Sequence, residues 1–179
     1  MSRIASKPIV IPETVNIEIK ESVISASGAK GSLKCVLNNQ YINYNYEAGK
    51  LFLKPANDSK KARSLCGLYR SNINNMIIGI TQGYCKVLEI NGVGYRANVN
   101  SKFGFLILSL GLSHEVILKI PDGISVTCQK ETIAITGIDK QKVGMFAAKL
   151  FDLKRPEPYK ASGISYQGMY ILRKQGKRK

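Results

Sequence analysis

Hydrophobic and polar residues alternate with two different periods along the chain, and each period predicts a type of element. In residues 15–19 and 124–128 every second residue is apolar, which is the period of a half-buried β-strand. In residues 58–80 and 139–153 the apolar side chains recur every three or four positions, which predicts two amphipathic helices. Further short strands are expected at residues 33–37, 41–46, 51–54, 86–90, 95–99, 105–110 and 116–120.

The order of these elements indicates the fold class. Strands come first and a helix comes last, and this order occurs twice. The sequence therefore predicts an α+β protein with two tandem similar domains from an internal duplication, each a mainly antiparallel β-sheet packed with one α-helix. We place the domains at residues 1–82 and 83–153, followed by a basic C-terminal extension at residues 154–179.

Two stretches, residues 11–28 and 120–137, suggest the duplication directly. They align without a gap, and each begins with Ile-Pro, continues through an alternating hairpin and ends on glycine. Chance similarity is the alternative, because any two alternating hairpins resemble each other. A helical segment that follows each copy favours duplication.

Positive charge is concentrated in the extension. The chain has 27 Lys and Arg against 12 Asp and Glu, and residues 154–179 hold eight of the cations but a single acid, Glu157. Pro156 and Pro158 prevent a helix there and favour an extended backbone. Charge of this density repels itself unless a polyanion lies alongside, so we predict a nucleic-acid partner. Because the sequence is rich in strands and has no helix-turn-helix or zinc-finger motif, RNA is favoured over DNA.

Enzymatic chemistry has little support in the sequence. The single histidine, His114, precedes Glu115 at the start of a predicted strand, where neighbouring side chains point to opposite faces. The segment Gly92–Arg96 lacks the third glycine and the following helix of a dinucleotide-binding loop, so we interpret it as a turn. Four widely spaced cysteines indicate buried free thiols, not a zinc site or a disulfide framework. We expect no enzyme activity, cofactor, metal or small-molecule substrate.

The candidate RNA-contacting residues combine cations with aromatic rings and backbone-restricting residues. Cations neutralise phosphates, and prolines hold a strand ready to bind. Tyrosine rings stack on bases, although for Tyr159 packing onto the second domain is an equal alternative. The candidates are Lys140, Lys142, Lys149, Lys154, Arg155, Pro156, Pro158, Tyr159, Lys160, Gly163, Tyr166, Arg173, Lys174, Lys177, Arg178 and Lys179. Weaker candidates are Gly92, Gly94, Tyr95 and Arg96. We expect the extension to become ordered only on RNA.

Motifs along the whole chain resemble the bacterial-type large-subunit ribosomal protein L6 family. The most specific are residues 137–141 (Gly-Ile-Asp-Lys-Gln) and 155–160 (Arg-Pro-Glu-Pro-Tyr-Lys). Residues 75–84 resemble the inter-domain segment of the family, and residues 92–97 and 108–114 resemble strands of its second domain.

This resemblance implies a structural role in the large ribosomal subunit. It implies binding to large-subunit rRNA near the sarcin–ricin loop and the stalk base, with neighbouring ribosomal proteins and translation factors close by, and a part in subunit assembly. It implies a cytoplasmic protein, or one of an organelle matrix if organelle-encoded, without a membrane partner. The alternative is a basic interaction module that binds a protein or another acidic surface outside the ribosome.

The extension departs from the family at two places. Ala161, Ser162 and Gly163 stand where the family commonly has Gly-Lys-Gly, and Ser165 stands where an arginine is common. We therefore expect fewer cations in the middle of the extension than the family usually has.

Overall fold

The computed structural model describes residues 7–20, 22–47, 49–100 and 103–177, and it divides into two compact units. The first unit contains the described residues up to Gly83 together with Ile138–Lys140, and the second contains the remainder. Each unit combines small antiparallel sheets with one helix, so the predicted α+β class is confirmed.

The first unit has two three-stranded antiparallel sheets and helix α1 (Lys60–Thr81). Its strands are β1 (Ile9–Val10), β2 (Asn16–Lys20), β3 (Val23–Gly28), β4 (Gly31–Val36), β5 (Ile42–Glu47) and β6 (Lys50–Pro55). The strand orders are β2-β3-β4 and β1-β6-β5. Ile24 of β3, Leu51 of β6 and Ile73 of α1 are fully buried, so both sheets and the helix share the apolar interior.

Local sequence explains where α1 begins and ends. The side chain of Ser59 accepts a hydrogen bond from Ala62 N at 3.1 Å, which caps the first turn. At the other end Gly83 has a φ of 79° and its N–H donates to Ile78 O at 3.2 Å. A glycine in this left-handed conformation ends the helix.

The second unit has a three-stranded and a four-stranded antiparallel sheet and helix α2 (Lys140–Leu153). Its strands are β7 (Tyr84–Asn91), β8 (Arg96–Asn100), β9 (Phe105–Ser109), β10 (Val116–Lys119), β11 (Ile124–Gln129), β12 (Thr132–Gly137) and β13 (Gly163–Tyr166). The strand orders are β10-β9-β8 and β11-β12-β7-β13. Leu88, Leu108, Ile133 and Leu150 are fully buried in one core that joins the sheets to α2.

The two units share one topology, which corrects the repeat proposed from the sequence. Taken in chain order, β1 to β6 and α1 have the same strand neighbours as β7 to β12 and α2. The hairpin within residues 120–137 (β11 and β12) therefore corresponds to β5 and β6. The hairpin within residues 11–28 (β2 and β3) corresponds to β8 and β9. The alignment of residues 11–28 with 120–137 is wrong, although the two units are duplicates in topology.

A shared local geometry explains why these two non-equivalent hairpins look alike. Val15 N donates to Pro12 O at 3.0 Å in the first, and Ile124 N donates to Pro121 O at 3.3 Å in the second. Each hairpin is thus entered through the same proline turn and then alternates at the period of a strand. The two hairpins look alike because each combines a proline turn with alternating strands, although they occupy different positions in the fold.

Candidate nucleic-acid interface

Part of the basic extension is built into the second unit. Residues 163–166 form β13, which pairs antiparallel with β7 and completes an edge of the sheet. Ile164 is fully buried in the core. The expectation that the extension orders only on RNA is wrong for this strand, because burial of apolar surface and pairing with β7 stabilise it within the protein.

Gly163 allows the chain to cross itself at the start of β13. Its φ of 144° lies in a region that side chains rarely adopt. A Cβ here would stand 2.8 Å from the carbonyl oxygens of Lys154 and Arg155 and from the Cα of Pro156. Ile164 N also donates to Lys154 O at 2.8 Å. Gly163 therefore holds the first cations of the extension against the sheet, and this role is one of positioning.

Backbone hydrogen bonds join the two basic runs of the extension. In the loop before β13, Ala161 N donates to Glu157 O at 2.8 Å. After β13 the chain returns, and Lys174 N donates to Pro158 O at 2.8 Å. Residues 154–160 and 173–177 thereby meet, and together they are named the cationic surface.

Most charged groups of the cationic surface are open to solvent. Its exposed cations are Arg155, Lys160, Arg173, Lys174 and Lys177, and Lys154 is half-buried. Arg155 Nη2 and Nε donate to Asp152 Oδ1 at 2.8 and 3.0 Å, but both side chains are largely exposed. An exposed pair of this kind is weak, so the guanidinium is able to exchange the carboxylate for a phosphate. Arg178 and Lys179 lie outside the described residues.

The lysines predicted on α2 are all exposed. Lys142 and Lys149 lie seven residues apart, which places them on one side of the helix. Lys142 Nζ donates to Asp122 O at 3.4 Å. Lys140 groups with the first unit, where its Nζ donates to Asn75 Oδ1 at 3.2 Å. Lys142 and Lys149 therefore add positive charge to the second unit.

The aromatic residues of the extension differ in accessibility. Tyr159 is 53% exposed, so its ring is open to a stacking partner. Tyr166 is half-buried and stacks on Phe151 with 5.3 Å between ring centroids, which holds β13 against α2. Tyr170, which was not among the predicted contacts, is 84% exposed. Its position three residues before Arg173 is the sequence signal that would have included it.

The weaker candidates form a turn beside an open groove. The Tyr95 ring packs on the core, and a Cβ on Gly92 would stand 2.7 Å from it. Gly94 has a φ of 79°, which suits a tight turn. Arg96 is exposed and lines a groove of about 700 Å³ together with Lys130. Within this turn, Arg96 supplies the charged group that reaches solvent.

Two of the residues that depart from the family sequence lie at buried positions, whereas Ser162, which stands where the family commonly has lysine, is half-buried. Ala161 and Ser165 are each 3% exposed. Ala161 also has a φ of 57°, the left-handed conformation for which glycine is the usual residue. The loop thus keeps a backbone suited to glycine, and Ser165 stands inside the protein, away from the exposed cations.

The residues considered for other chemistry are scattered. His114 is exposed, and the described ranges contain no group of His, Cys, Asp and Glu able to hold a metal. Burial raises the pKa of the Cys35, Cys66 and Cys128 thiols, whereas Cys85 is exposed. The prediction of a buried thiol is therefore wrong for Cys85, because the first positions of β7 lie near the surface. No helix within the described ranges is long and apolar enough to cross a membrane.

Fold and surface together define a class: a duplicated, strongly basic α+β protein with a dense group of exposed cations on an extension of its second unit. A family model described as ribosomal protein L6 matches residues 11–83 and 91–167. The chain is 47% identical to large ribosomal subunit protein uL6 of Novosphingobium aromaticivorans and 48% identical to that of Zymomonas mobilis, over 100% of this chain and of each relative. This chain belongs to the ribosomal protein L6 family.

The family match also supports the corrected repeat. Its two stretches begin 80 residues apart, and the same spacing separates Lys60 from Lys140, the first residues of α1 and α2. Two tandem copies therefore account for both units, which confirms the predicted duplication. Membership of a family of ribosomal proteins also confirms the prediction that the chain is not an enzyme.

Proposed function

We propose that this protein is a structural constituent of the large ribosomal subunit and binds its rRNA through the cationic surface. The relatives carry the name of a large-subunit ribosomal protein, which supports the location. The hydrogen bond between Lys174 N and Pro158 O carries the RNA proposal, because it gathers two basic runs on one surface. Exposed cations that repel one another are stabilised by a phosphate backbone.

The residues of the extension have different roles in this proposal. Lys160, Arg173 and Lys174 neutralise phosphates, and Arg155 does so after leaving Asp152. Tyr159 stacks on an accessible base or sugar, since its ring is 53% exposed. Lys142 and Lys149 extend the contact along α2. Because β13 and the loop before it are ordered in the protein itself, less conformational entropy is lost on binding.

The proposed location within the subunit is next to the sarcin–ricin loop and the stalk base, where the protein supports assembly and the site of translation factors. Resemblance to the family supports this location. Chemical footprinting of reconstituted subunits with and without the protein tests it, with protection of the sarcin–ricin loop as the expected result. Protection confined to other parts of the rRNA would contradict this location and leave the RNA contact itself intact.

A charge-matched pair of variants tests the RNA contact. Lys160→Gln, Arg173→Gln and Lys174→Gln are combined in one protein. Lys20→Gln, Lys34→Gln and Lys119→Gln, which are exposed on β2, β4 and β10, are combined in the control. Binding to large-subunit rRNA is measured across a range of salt concentrations.

Each lost phosphate contact on a duplex lowers the slope of log affinity against log salt by about 0.9, so the first variant should lose roughly 2 to 3 slope units. The control carries the same net charge and should retain most of the slope. Equal slopes for the two variants would remove the cationic surface from the interface. They would favour a nonspecific effect of total charge, or the alternative of a basic module that acts outside the ribosome.

A further inference from the structure

Strand β5 stands at an open edge of its sheet. It is the terminal strand in the order β1-β6-β5, and residues 43–47 are all exposed. The outward backbone groups of an edge strand form a template on which another extended chain can pair. Edge strands are commonly protected by lysine, proline or a bulge. Within the six residues of β5 the only charged side chain is Glu47.

Two tyrosines on β5 continue the core face of the sheet beyond its buried part. Tyr44 pairs with Leu53 and Tyr46 pairs with Leu51, and directly paired residues share one face of a sheet. Leu51 and Leu53 are buried in the core, at 0% and 6% exposure. Tyr44 and Tyr46 are 40% and 55% exposed on the same face. The apolar face therefore ends on two aromatic rings that no described residue of the first unit fully covers.

The second unit provides an internal comparison. Strand β11 holds the position of β5, and Val126 pairs with Ile135 as Tyr44 pairs with Leu53. Val126 is 8% exposed, and β11 packs against β8. Both strands end their sheets, but the side chain at this position is buried in the second unit and exposed in the first. The exposed side chain is the larger one, that of Tyr44.

The residue types along this edge favour a protein partner over RNA. Residues 35–49 contain no Lys or Arg, in a chain whose net charge is +15. Lys50 and Lys54 lie on the adjacent strand β6, where Lys50 is paired across the sheet with Glu47. An RNA contact requires cations directed at phosphates. Tyrosine enrichment with few charges is typical of the buried centre of a protein–protein interface.

We propose that β5 binds an extended segment of a neighbouring large-subunit protein, which adds a strand to this sheet and covers Tyr44 and Tyr46. Main-chain hydrogen bonds along the edge supply register, and the two rings supply an apolar pocket for alternate side chains of the added strand. This surface is separate from the cationic surface. Binding at β5 can therefore be tested independently of the proposed RNA contact.

Site-specific photo-cross-linking in assembled subunits tests the proposal. A benzophenone-bearing phenylalanine analogue replaces Tyr46 in one protein and the exposed Ser125 of β11 in the control. After irradiation of purified large subunits, the position 46 probe should join one other ribosomal protein, with the cross-link mapped to an extended segment. The position 125 probe should not join that segment. Cross-links to rRNA alone, to a second copy of this chain, or to nothing would each overturn the proposal.

A binding measurement then tests whether the rings matter. A synthetic peptide covering the cross-linked segment is titrated against the full-length protein and against Tyr44→Ala/Tyr46→Ala, whose fold is checked by circular dichroism. Loss of two interface tyrosines should weaken binding about ten-fold or more. The control Tyr170→Ala removes a ring of the extension that is 84% exposed, and it should leave affinity for the peptide unchanged. Equal affinity for the double variant and the parent protein would overturn the proposal.

Discussion

Gly163 carries the strongest steric constraint on any single residue of the extension. The conformation at φ 144° and the three backbone atoms at 2.8 Å both exclude a side chain. Gly163→Ala should therefore lower the free energy of unfolding by about 2 to 3 kcal/mol, as measured by urea denaturation. Gly144→Ala is the matched control, since nothing lies within 4 Å of the added methyl on α2. It should raise the free energy of unfolding by about 0.5 to 1 kcal/mol. Equal changes in the free energy of unfolding for the two variants would contradict a backbone crossing that excludes a side chain at residue 163.

Residue type shows which residues of the extension carry a charge or an aromatic ring, but it does not show which way their side chains point. Gly163 and Tyr166 were proposed as RNA contacts because small and aromatic residues suit such surfaces, yet the structure turns both toward the protein. A four-residue strand is too short for its alternation to show which side chains point inward. Exposed Lys160 and Arg173 were easier to predict, since a lone cation is rarely buried.

The thiol of Cys128 makes stability depend on pH in the alkaline range. Burial raises its pKa from 9.0 to about 11. Between these values the unfolded chain loses the thiol proton while the folded chain keeps it, so the free energy of unfolding should fall as pH rises. Below pH 9 the contribution is fully present. Urea denaturation at a series of pH values, compared with Cys128→Val, measures the effect. A variant with an unchanged alkaline slope would contradict it.

At the scale of elements, hydrophobic period predicted the two helices and most strands. Strand β1 was missed because its two residues are too few to show an alternating pattern. Strand β13 was missed because it lies inside the extension, whose charge and prolines predicted an exposed surface chain. Both are defined by their pairing partners, β6 and β7. The false repeat had the opposite cause. A proline turn before an alternating hairpin is a strong local pattern, but it carries no information on which strand lies next to it.

Two truncations of the basic extension should differ in their effect on stability, because one of them removes strand β13 and the other keeps it. Removing residues 168–179 leaves β13 in place and should change the free energy of unfolding by about 1 kcal/mol or less. Removing residues 154–179 deletes the buried Ile164 and the Tyr166 ring, and should cost about 3 kcal/mol or more. Both should weaken binding to rRNA. Urea denaturation of the two proteins gives the comparison, and equal stabilities would mean that β13 contributes nothing to the sheet.

At the scale of the whole molecule, salt should act in opposite directions on folding and on binding. The net charge of +15 repels itself in the folded protein, and the ion pairs described, Lys20 with Glu18 and Arg155 with Asp152, are exposed and weak. Screening should therefore leave the melting temperature of the free protein unchanged or slightly higher. The same salt should release the protein from large subunits. Thermal denaturation and sedimentation from about 50 to 500 mM salt measure both, and parallel losses would contradict this account.

Total charge predicts a nucleic-acid partner, but it does not show which charged segments lie next to each other on the surface. The two basic runs meet through a single bond from Lys174 N to Pro158 O, and no sequence pattern reports a contact of this kind. The proposed domain limits at residues 82 and 153 stay a prediction. The structure groups the described part of the extension with the second unit.

The crossing at Gly163 also bears on how this chain can change in length. Pro156 and Gly163 touch where the backbone passes over itself, so the residues between them span a closed path. An insertion or deletion there would shift every later cation relative to the sheet. Relatives should therefore tolerate substitutions in this path but keep its residue count. Length variation should collect instead after β13, where an added residue enlarges a surface loop and displaces no buried side chain.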